Sequence, residues 1–362
     1  MKEKKIALVG FRLSGGGSDK VMANLSKFFH AEGLNVHIII FHDELGYEYS
    51  GTLFNLGKIK SEPNTLLNKI KRFYAFKTYI KKEQFDYIID FRFRIHLLQE
   101  ILISKWIYKT KAIYTVHSSS IKHYMPESSF FTRYIYGDCN AMVAINKQMK
   151  TIIEDQHQLK NITTIYNPVS IPQLKQSDLD DVEINTEFII GVGQYDTNVK
   201  QFDKLIEAYA QSVLPEKNIA LVILGTGQLK AELIKIADSY NLSHLVHLLG
   251  FKSNPYKYMA KAKFYVLTSQ FEGFPMVLIE ALACKTPVIA FDCLTGPSEI
   301  IQNKKNGILV ENQNTNQLIK AMNVMITDTK LYENCKLNAE KSIENYTLDV
   351  IGKQWLDLMK HN

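Results

Sequence analysis

Two glutamates eight positions apart, Glu272 and Glu280, enclose Gly-Phe-Pro-Met-Val-Leu-Ile. Residues 264–268 read as a strand, 269–273 as its exit loop and Pro275 as the first residue of a helix, where a missing N–H is harmless. The amides of Met276, Val277 and Leu278 would then leave the helix end unpaired, an arrangement suited to an anion such as a diphosphate. Glu280, one to two turns in, could reach a ribose hydroxyl beside that diphosphate, and Glu272 would stand nearer the reacting group. A solvated loop acid and a helix-face acid paired with a lysine would share this spacing. His117 closes a strand, where its side chain could face a cleft or simply cap the strand end. Gly15-Gly16-Gly17 follows the first strand, but with Gly10 it does not form the Gly-x-Gly-x-x-Gly dinucleotide fingerprint. Asp178-Leu-Asp180-Asp181 has the look of a metal-binding Asp-x-Asp, yet it falls in a polar connection and reads as a solvated charge run. No metal site is expected.

These residues need a frame that brings strand ends together. Apolar runs of buried-strand type recur at 5–10, 36–41, 87–90, 112–116 and 141–145, with helical patterns between them. Residues 19–31 form one such amphipathic stretch, and Gly33 stands where a helix would stop. After Tyr166-Asn-Pro-Val, residues 170–187 are polar and acid-rich and suit an interdomain connection. A second series follows at 188–192, 220–224, 246–249, 264–267, 287–291 and 307–310. Continuous rather than alternating apolar runs indicate parallel strands covered on both faces. Two doubly wound α/β domains result, and ligands of such sheets bind outside the carboxyl ends of the strands, so a cleft between facing domains is the expected site.

At 362 residues, with 46% apolar and 22% charged residues, the chain fits a soluble two-domain protein. Cys139, Cys284, Cys293 and Cys335 form no Cys-x-x-Cys pair and read as free thiols of a reducing compartment. The first uncharged stretch, Ile6 to Phe11, is too short for a signal-peptide core or a membrane span. A cytoplasmic location is expected, with any membrane contact peripheral, at the inner face of the plasma membrane. The net charge of +6 is unevenly placed: residues 1–168 carry 24 Lys and Arg against 15 Asp and Glu. No nucleic-acid motif accompanies that basic half, so anionic lipid or a phosphorylated ligand is the expected partner rather than nucleic acid. Residues 66–82 concentrate the charge. Leu66, Ile70, Phe73 and Ile80 fall near one side of a helix, and Lys69, Lys71, Arg72, Lys77, Lys81 and Lys82 fill the rest, with Tyr74, Phe76 and Tyr79 interleaved. Such a helix either lies on an anionic membrane or packs on the sheet with a solvated basic face.

The segment from Glu272 to Glu280 resembles the Glu-x7-Glu motif of the retaining glycosyltransferases of family 4, of bacterial surface-glycan type and GT-B fold. The resemblance covers almost the whole chain. Ser14-Gly-Gly-Gly-Ser-Asp-Lys20 is similar to the family's first glycine loop, Tyr114-Thr-Val-His117 to its histidine motif, and Ile165-Tyr-Asn-Pro168 to the turn ending the first domain. Gly191-Val-Gly193 with Lys200 resembles the phosphate-binding element. Gly225-Thr-Gly227, His247-Leu-Leu-Gly-Phe251 and Gly296-Pro-Ser-Glu-Ile300 match later stretches in the right order.

The resemblance implies an N-terminal acceptor-binding domain over 1–168 and a C-terminal nucleotide-sugar domain over 169–345, with a C-terminal helix at about 346–362 as a candidate to pack back on the first. It implies catalytic roles for Glu272, His117 and Lys200. Lys200 would neutralise the leaving diphosphate, Glu280 would hold the ribose and Glu272 the donor-sugar hydroxyls. Gly16 and Gly17 would let backbone approach the donor or acceptor. Gln194, Gly250, Phe251, Gly273, Phe274, Met276, Val277 and Leu278 complete the implied donor site. Gln194 departs from the family, which usually has arginine there; glutamine cannot neutralise a phosphate or grip it bidentately. Arg12 or Lys20 is the candidate compensating cation. The expected activity is transfer of a hexose or N-acetylhexosamine from a nucleotide-diphosphate sugar, UDP favoured, to a glycan or lipid-linked saccharide, with no cofactor. A catalytically silent sugar-nucleotide-binding module and a GT-B-fold epimerase are the alternatives.

Overall fold

The structure, a computed structural model, describes residues 4–61, 65–170, 179 and 181–360. Thirteen strands account for two sheets among these residues. In the first sheet β1 (Lys5–Gly10), β2 (Asn35–Ile40), β3 (Thr52–Asn55), β4 (Tyr87–Asp90), β5 (Lys111–Val116), β6 (Ala141–Ala144) and β7 (Ile162–Thr164) lie in the order β3-β2-β1-β4-β5-β6-β7. The second sheet holds β8 (Phe188–Val192), β9 (Ala220–Leu224), β10 (Val246–Gly250), β11 (Tyr265–Leu267), β12 (Val288–Phe291) and β13 (Gly307–Val310), ordered β10-β9-β8-β11-β12-β13. Every pairing between these strands is parallel. Both sheets are Rossmann-like, and β4, β6 and β9 are buried at every position, as strands covered by helices on both faces must be.

Strand order reverses between β1 and β4 in one sheet and between β8 and β11 in the other. At such switch points the loops leaving neighbouring strands diverge to opposite faces and open a crevice at the carboxyl edge. The chain divides into two compact units, one of residues 1–170 with 346–362 and one of 171–345. The helix Leu348–Leu358 belongs to the first unit: Ile351, Trp355 and Met359 join its core, and Gly352 sits where a Cβ would come within 2.4 Å of the Phe28 ring. Glycine lets this helix approach the helix Gly17–Ala31 closely. No helix among the described residues is long and apolar enough to cross a membrane.

The helix Leu66–Glu83 departs from its expected polarity. Phe76 and Ile80 are buried, whereas Leu66 and Ile70, expected near the same side, are exposed together with Leu67 and Tyr74. The short strands β3 and β7 occupy the two edges of the first sheet.

Candidate active site

In the second unit the loops leaving β8 and β11, at the switch point, meet through one ion pair. Lys200 Nζ lies 2.6 Å from Glu272 Oε1, both side chains mostly buried. Glycine makes the pair possible: a Cβ on Gly193 would fall 3.0–3.2 Å from three carbons of the Lys200 side chain, so the lysine stem runs over bare backbone. The loop beneath is pinned on both sides. Gly193 N–H donates to Leu224 O at 2.9 Å and Tyr195 N–H to Thr226 O at 3.1 Å. Gly225, at φ 136°, has its Cβ position against Gly193 O, which excludes any larger residue. Gly225 N–H in turn donates to Gly250 O at 2.8 Å, so the exits of β8, β9 and β10 form one ledge. Gln194 and Phe251 are exposed along it, Phe251 at 75%.

Glu272 is held from three directions. Ser269 Oγ donates to Glu272 Oε1 at 2.6 Å, Glu272 N–H reaches Leu294 O at 3.3 Å, and Thr295 Oγ1 donates to Glu272 O and, at 3.1 Å, to Gly273 O. Thr268 Oγ1 donates to the carbonyls of Lys200 and Gln201, fixing the other partner's backbone. Sequence reasoning missed Ser269, Thr268 and Thr295. Ser269 stands only three residues before Glu272, where a hydroxyl could have been noticed; the threonines act across loops far apart in sequence. The helix Met276–Ala283 begins one residue later than the sequence indicates, with Pro275 as its N-cap. Its amide end is also less open than expected. Met276 N–H donates to Phe274 O at 2.8 Å and Leu278 N–H to Pro275 O at 2.9 Å, because the Pro275 backbone (ψ 83°) turns tightly instead of running straight into the helix. Glu280 faces Tyr256, whose hydroxyl donates to Oε1 at 3.2 Å. Asp181, from the acidic run, pairs with Lys257, and Asp178 and Asp180 lie outside the described residues.

In the first unit His117 follows β5 directly. Both ring nitrogens are buried without a hydrogen-bond partner, although the residue as a whole is not fully enclosed. Burial, with the Arg94 charge nearby as a lesser cause, depresses its pKa to about 3, so the imidazole is neutral at physiological pH. Its ring stacks on Phe91 at 5.5 Å. A neutral imidazole with one free donor and one free acceptor can bind a hydroxyl both ways. In the glycine loop Gly15 takes φ 77°, Gly16 caps the helix Gly17–Ala31, and a Cβ at Gly17 would meet nothing within 4 Å. Arg12, one candidate compensating cation, is engaged by two carboxylates: Nη1 lies 2.9 Å from Glu44 Oε2 and Nε 3.4 Å from Asp19 Oδ2. Lys20 donates its backbone N–H to Gly16 O at 3.1 Å, within the same loop.

Beneath that edge lies a charged cluster that sequence reasoning did not find. Arg92 bonds Asp90 at 2.7 Å and Glu100 at 3.1 Å, all three side chains sealed from water, and Tyr108 donates to Asp90 at 3.0 Å. Arg94 spends its guanidinium on four backbone carbonyls, of Tyr124, Asp90, Arg92 and Thr115, among the rings of Tyr114, Tyr124 and Tyr136.

Residues 15–172 match the family described as Glycosyltransferase Family 4, and residues 177–342 that described as Glycosyl transferases group 1. Over 350 residues, 93% of this chain and 94% of the relative, it is 30% identical to an N-acetylgalactosamine-N,N'-diacetylbacillosaminyl-diphospho-undecaprenol 4-alpha-N-acetylgalactosaminyltransferase of Campylobacter jejuni. The chain belongs to glycosyltransferase family 4. A further relative, the amylovoran biosynthesis glycosyltransferase AmsD of Erwinia amylovora, is 25% identical over 98% of this chain and 99% of its own length. Among solved structures, Staphylococcus aureus TarM, crystallised with UDP, matches with TM-score 0.77 at 18% identity, covering 99% of this chain and 100% of that one. Anabaena Alr3699/HepE, also in complex with UDP, matches with TM-score 0.79 at 18% identity over 99% and 100% of the two chains. These likenesses establish the GT-B fold. Within this family 4 chain the implied site residues divide by unit: Gln194, Lys200, Gly250, Phe251, Glu272, Gly273, Phe274, Met276, Val277, Leu278 and Glu280 in the second, and Arg12, Gly16, Gly17, Lys20 and His117 in the first.

Proposed function

We propose that this glycosyltransferase moves a hexose or N-acetylhexosamine, with retention, from a UDP-sugar to a glycan or lipid-linked saccharide during surface-glycan assembly. The Lys200–Glu272 pair carries the reading. A bare ion pair at a switch point, tied down by Ser269, Thr268 and Thr295, keeps a cation and an acid ready at the edge where a diphosphate ligand binds. When the donor enters, Lys200 turns part of its charge to the diphosphate, and Glu272 accepts hydroxyls of the sugar. Glu280, oriented by Tyr256, takes the ribose. The acceptor hydroxyl attacks the anomeric carbon from the face that the diphosphate leaves; the new C–O bond forms as the old one breaks, and the proton passes to the departing β-phosphate. Lys200 stabilises the charge that develops there, a contribution commonly about 3–4 kcal/mol for one well-placed donor. The first unit holds the acceptor beside neutral His117. The Campylobacter relative's lipid-diphosphate substrate and the UDP bound by the two neighbours support these choices, and the exposed Leu66, Leu67, Ile70 and Tyr74 amid lysines support peripheral membrane contact by the helix Leu66–Glu83. Lys200→Ala and Glu272→Ala are each expected to lower transfer at least a hundredfold with circular dichroism unchanged. Near-normal transfer by both variants overturns the assignment. A panel of nucleotide sugars followed by nucleotide release identifies the donor.

A further inference from the structure

Four aromatic rings stand in a row along the carboxyl edge of the first sheet, and the transfer chemistry uses none of them. Each comes from the segment leaving a different strand: His42 after β2, Phe11 after β1, Phe93 after β4 and His123 after β5. That is also the order of those strands in the sheet. Neighbouring rings touch. His42 meets Phe11 edge-on at 5.8 Å, Phe11 lies stacked on Phe93 at 6.2 Å, and His123 meets Phe93 edge-on at 6.0 Å. His42, Phe93 and His123 are exposed and Phe11 is half-buried.

The row is held firmly from below. His42 N–H donates to Phe11 O at 2.8 Å and Arg94 N–H to His123 O at 2.7 Å, which stitches the segments in pairs, and Phe91 N–H to Val9 O at 2.8 Å joins the pairs. The buried arginines hold the central ring outward. Arg92 is anchored inward by Asp90 and Glu100 and Arg94 by four backbone carbonyls, so Phe93 between them points to solvent and forgoes its burial. Tyr124, 5.1 Å from Phe93, is hydrogen-bonded to the backbone of His117, so the row runs beside the imidazole whose ring nitrogens lack partners.

Ring faces and charge describe the occupant. An aromatic face is negative and attracts C–H groups polarised by oxygen. A pyranose offers such groups on one face and hydroxyls around its rim, and His117, Glu44 and Arg12 stand by to bond hydroxyls. A nucleic acid stacking its bases would need a positively charged groove instead. The exposed charged residues next to these rings in sequence are Arg12, Asp43 and Lys122. Arg12 is already held by Glu44 at 2.9 Å and Asp19 at 3.4 Å, and Asp43 offsets Lys122 in number, so the row offers a polyanion no positive excess.

We infer, resting on the reading of the first unit as the acceptor side, that this row is a stacking track for a neutral oligosaccharide. Adjacent sugars lie on adjacent rings, and the enzyme prefers an acceptor of two or more sugars to a single one.

Binding of the full chain to immobilised mono-, di-, tri- and tetrasaccharides of neutral hexoses and N-acetylhexosamines tests the track without any donor. Binding is expected to tighten at least tenfold from mono- to trisaccharide. Phe93→Ala and Phe93→Leu should each weaken trisaccharide binding by about tenfold, since leucine keeps apolar bulk but has no π-face, and Phe93→Trp should retain it. Leu98→Ser, at an exposed apolar residue outside the row, should leave binding unchanged. In transfer from the donor that nucleotide release identifies, Phe93→Ala should raise the KM of the acceptor far more than that of the donor. No saccharide bound, no dependence on length, full binding by the leucine variant, or equal loss in Leu98→Ser, which would mark a generic apolar contact, overturns the track. Wild-type transfer with an acceptor KM indifferent to length and to Phe93 overturns the track alone and leaves the transferase reading standing. Length-dependent binding without transfer from any donor supports the track and overturns that reading.

Discussion

In the proposed reaction Lys200 neutralises a leaving group and must stay aimed while its ligand is away, and Glu272 holds it at 2.6 Å. The pairing depends on the absence of an atom. Gly193→Ala would place a methyl against the lysine stem and tilt Nζ away from Glu272. Because displacements of about 1 Å can cost a hundredfold in rate, we expect kcat/KM to fall ten- to a hundredfold while thermal stability changes little. An unchanged kcat/KM would show that the lysine reaches its place by another path. Glu272 and Lys200 could be singled out because their motifs are short and local; Thr295, which holds Glu272 from 23 positions away, carries no local mark. His117 gives a second residue-scale prediction. Its pKa near 3 lies below the ordinary value of 6.5, so protonation favours the unfolded chain. Its contribution to stability is complete above about pH 6.5 and declines as pH falls toward 3, by about 1.4 kcal/mol per unit. Urea unfolding of the native chain and of His117→Phe should therefore diverge in slope as pH drops from 6.5 to 4.5. Parallel pH profiles would mean that the ring is hydrated.

At the scale of elements, the carboxyl end of β4 is built around Asp90, Arg92 and Glu100. Removing one member of such a set strands the others: Arg92→Met leaves two buried carboxylates without their ion-pair partner and is expected to cost about 3–5 kcal/mol in urea unfolding. A cost below about 1 kcal/mol would mean that water enters the cluster. Phe91-Arg92-Phe93-Arg94 gives no warning of this, since alternating aromatic and basic residues usually send the basic ones outward, whereas here both arginines turn inward and Phe93 is 45% exposed. The central strands were legible because burial on both faces demands unbroken apolar runs. The edge strands β3 and β7 were not, since an edge is only partly covered and Thr52–Asn55 and Ile162–Thr164 are too short and polar to stand out. A backbone constraint near Glu272 is equally hidden. Gly296 adopts φ 103° with its Cβ position 2.3 Å from Pro275 Cδ, and Gly296→Ala should lower the melting temperature by several degrees through strain and contact together. An unshifted melting temperature would show that the turn relaxes freely.

For the whole molecule, two tandem sheets could be read from the alternation of strand and helix signals, but pattern reports a buried face and not its partner, so only the family resemblance made the helix at about 346–362 a candidate to cover the first unit. The helix Leu348–Leu358 covers the first unit although the whole second unit lies between them in sequence. Gly352→Val would drive a branched side chain into Phe28, a rigid ring, and should destabilise the first unit by about 2–4 kcal/mol without altering the second. Limited proteolysis is expected to cut the first unit and spare 181–345; equal protection of both would contradict this. The same helix has a consequence for synthesis. Lys4 donates to Met359 O across 355 positions, so a nascent chain cannot close its first unit when that unit leaves the ribosome. The second unit, contiguous in sequence, can bury its core first. Closure of the first unit thus waits until the second has been translated, and until then Phe28 and Phe91 lack the cover that Gly352 and Trp355 give them in the folded chain.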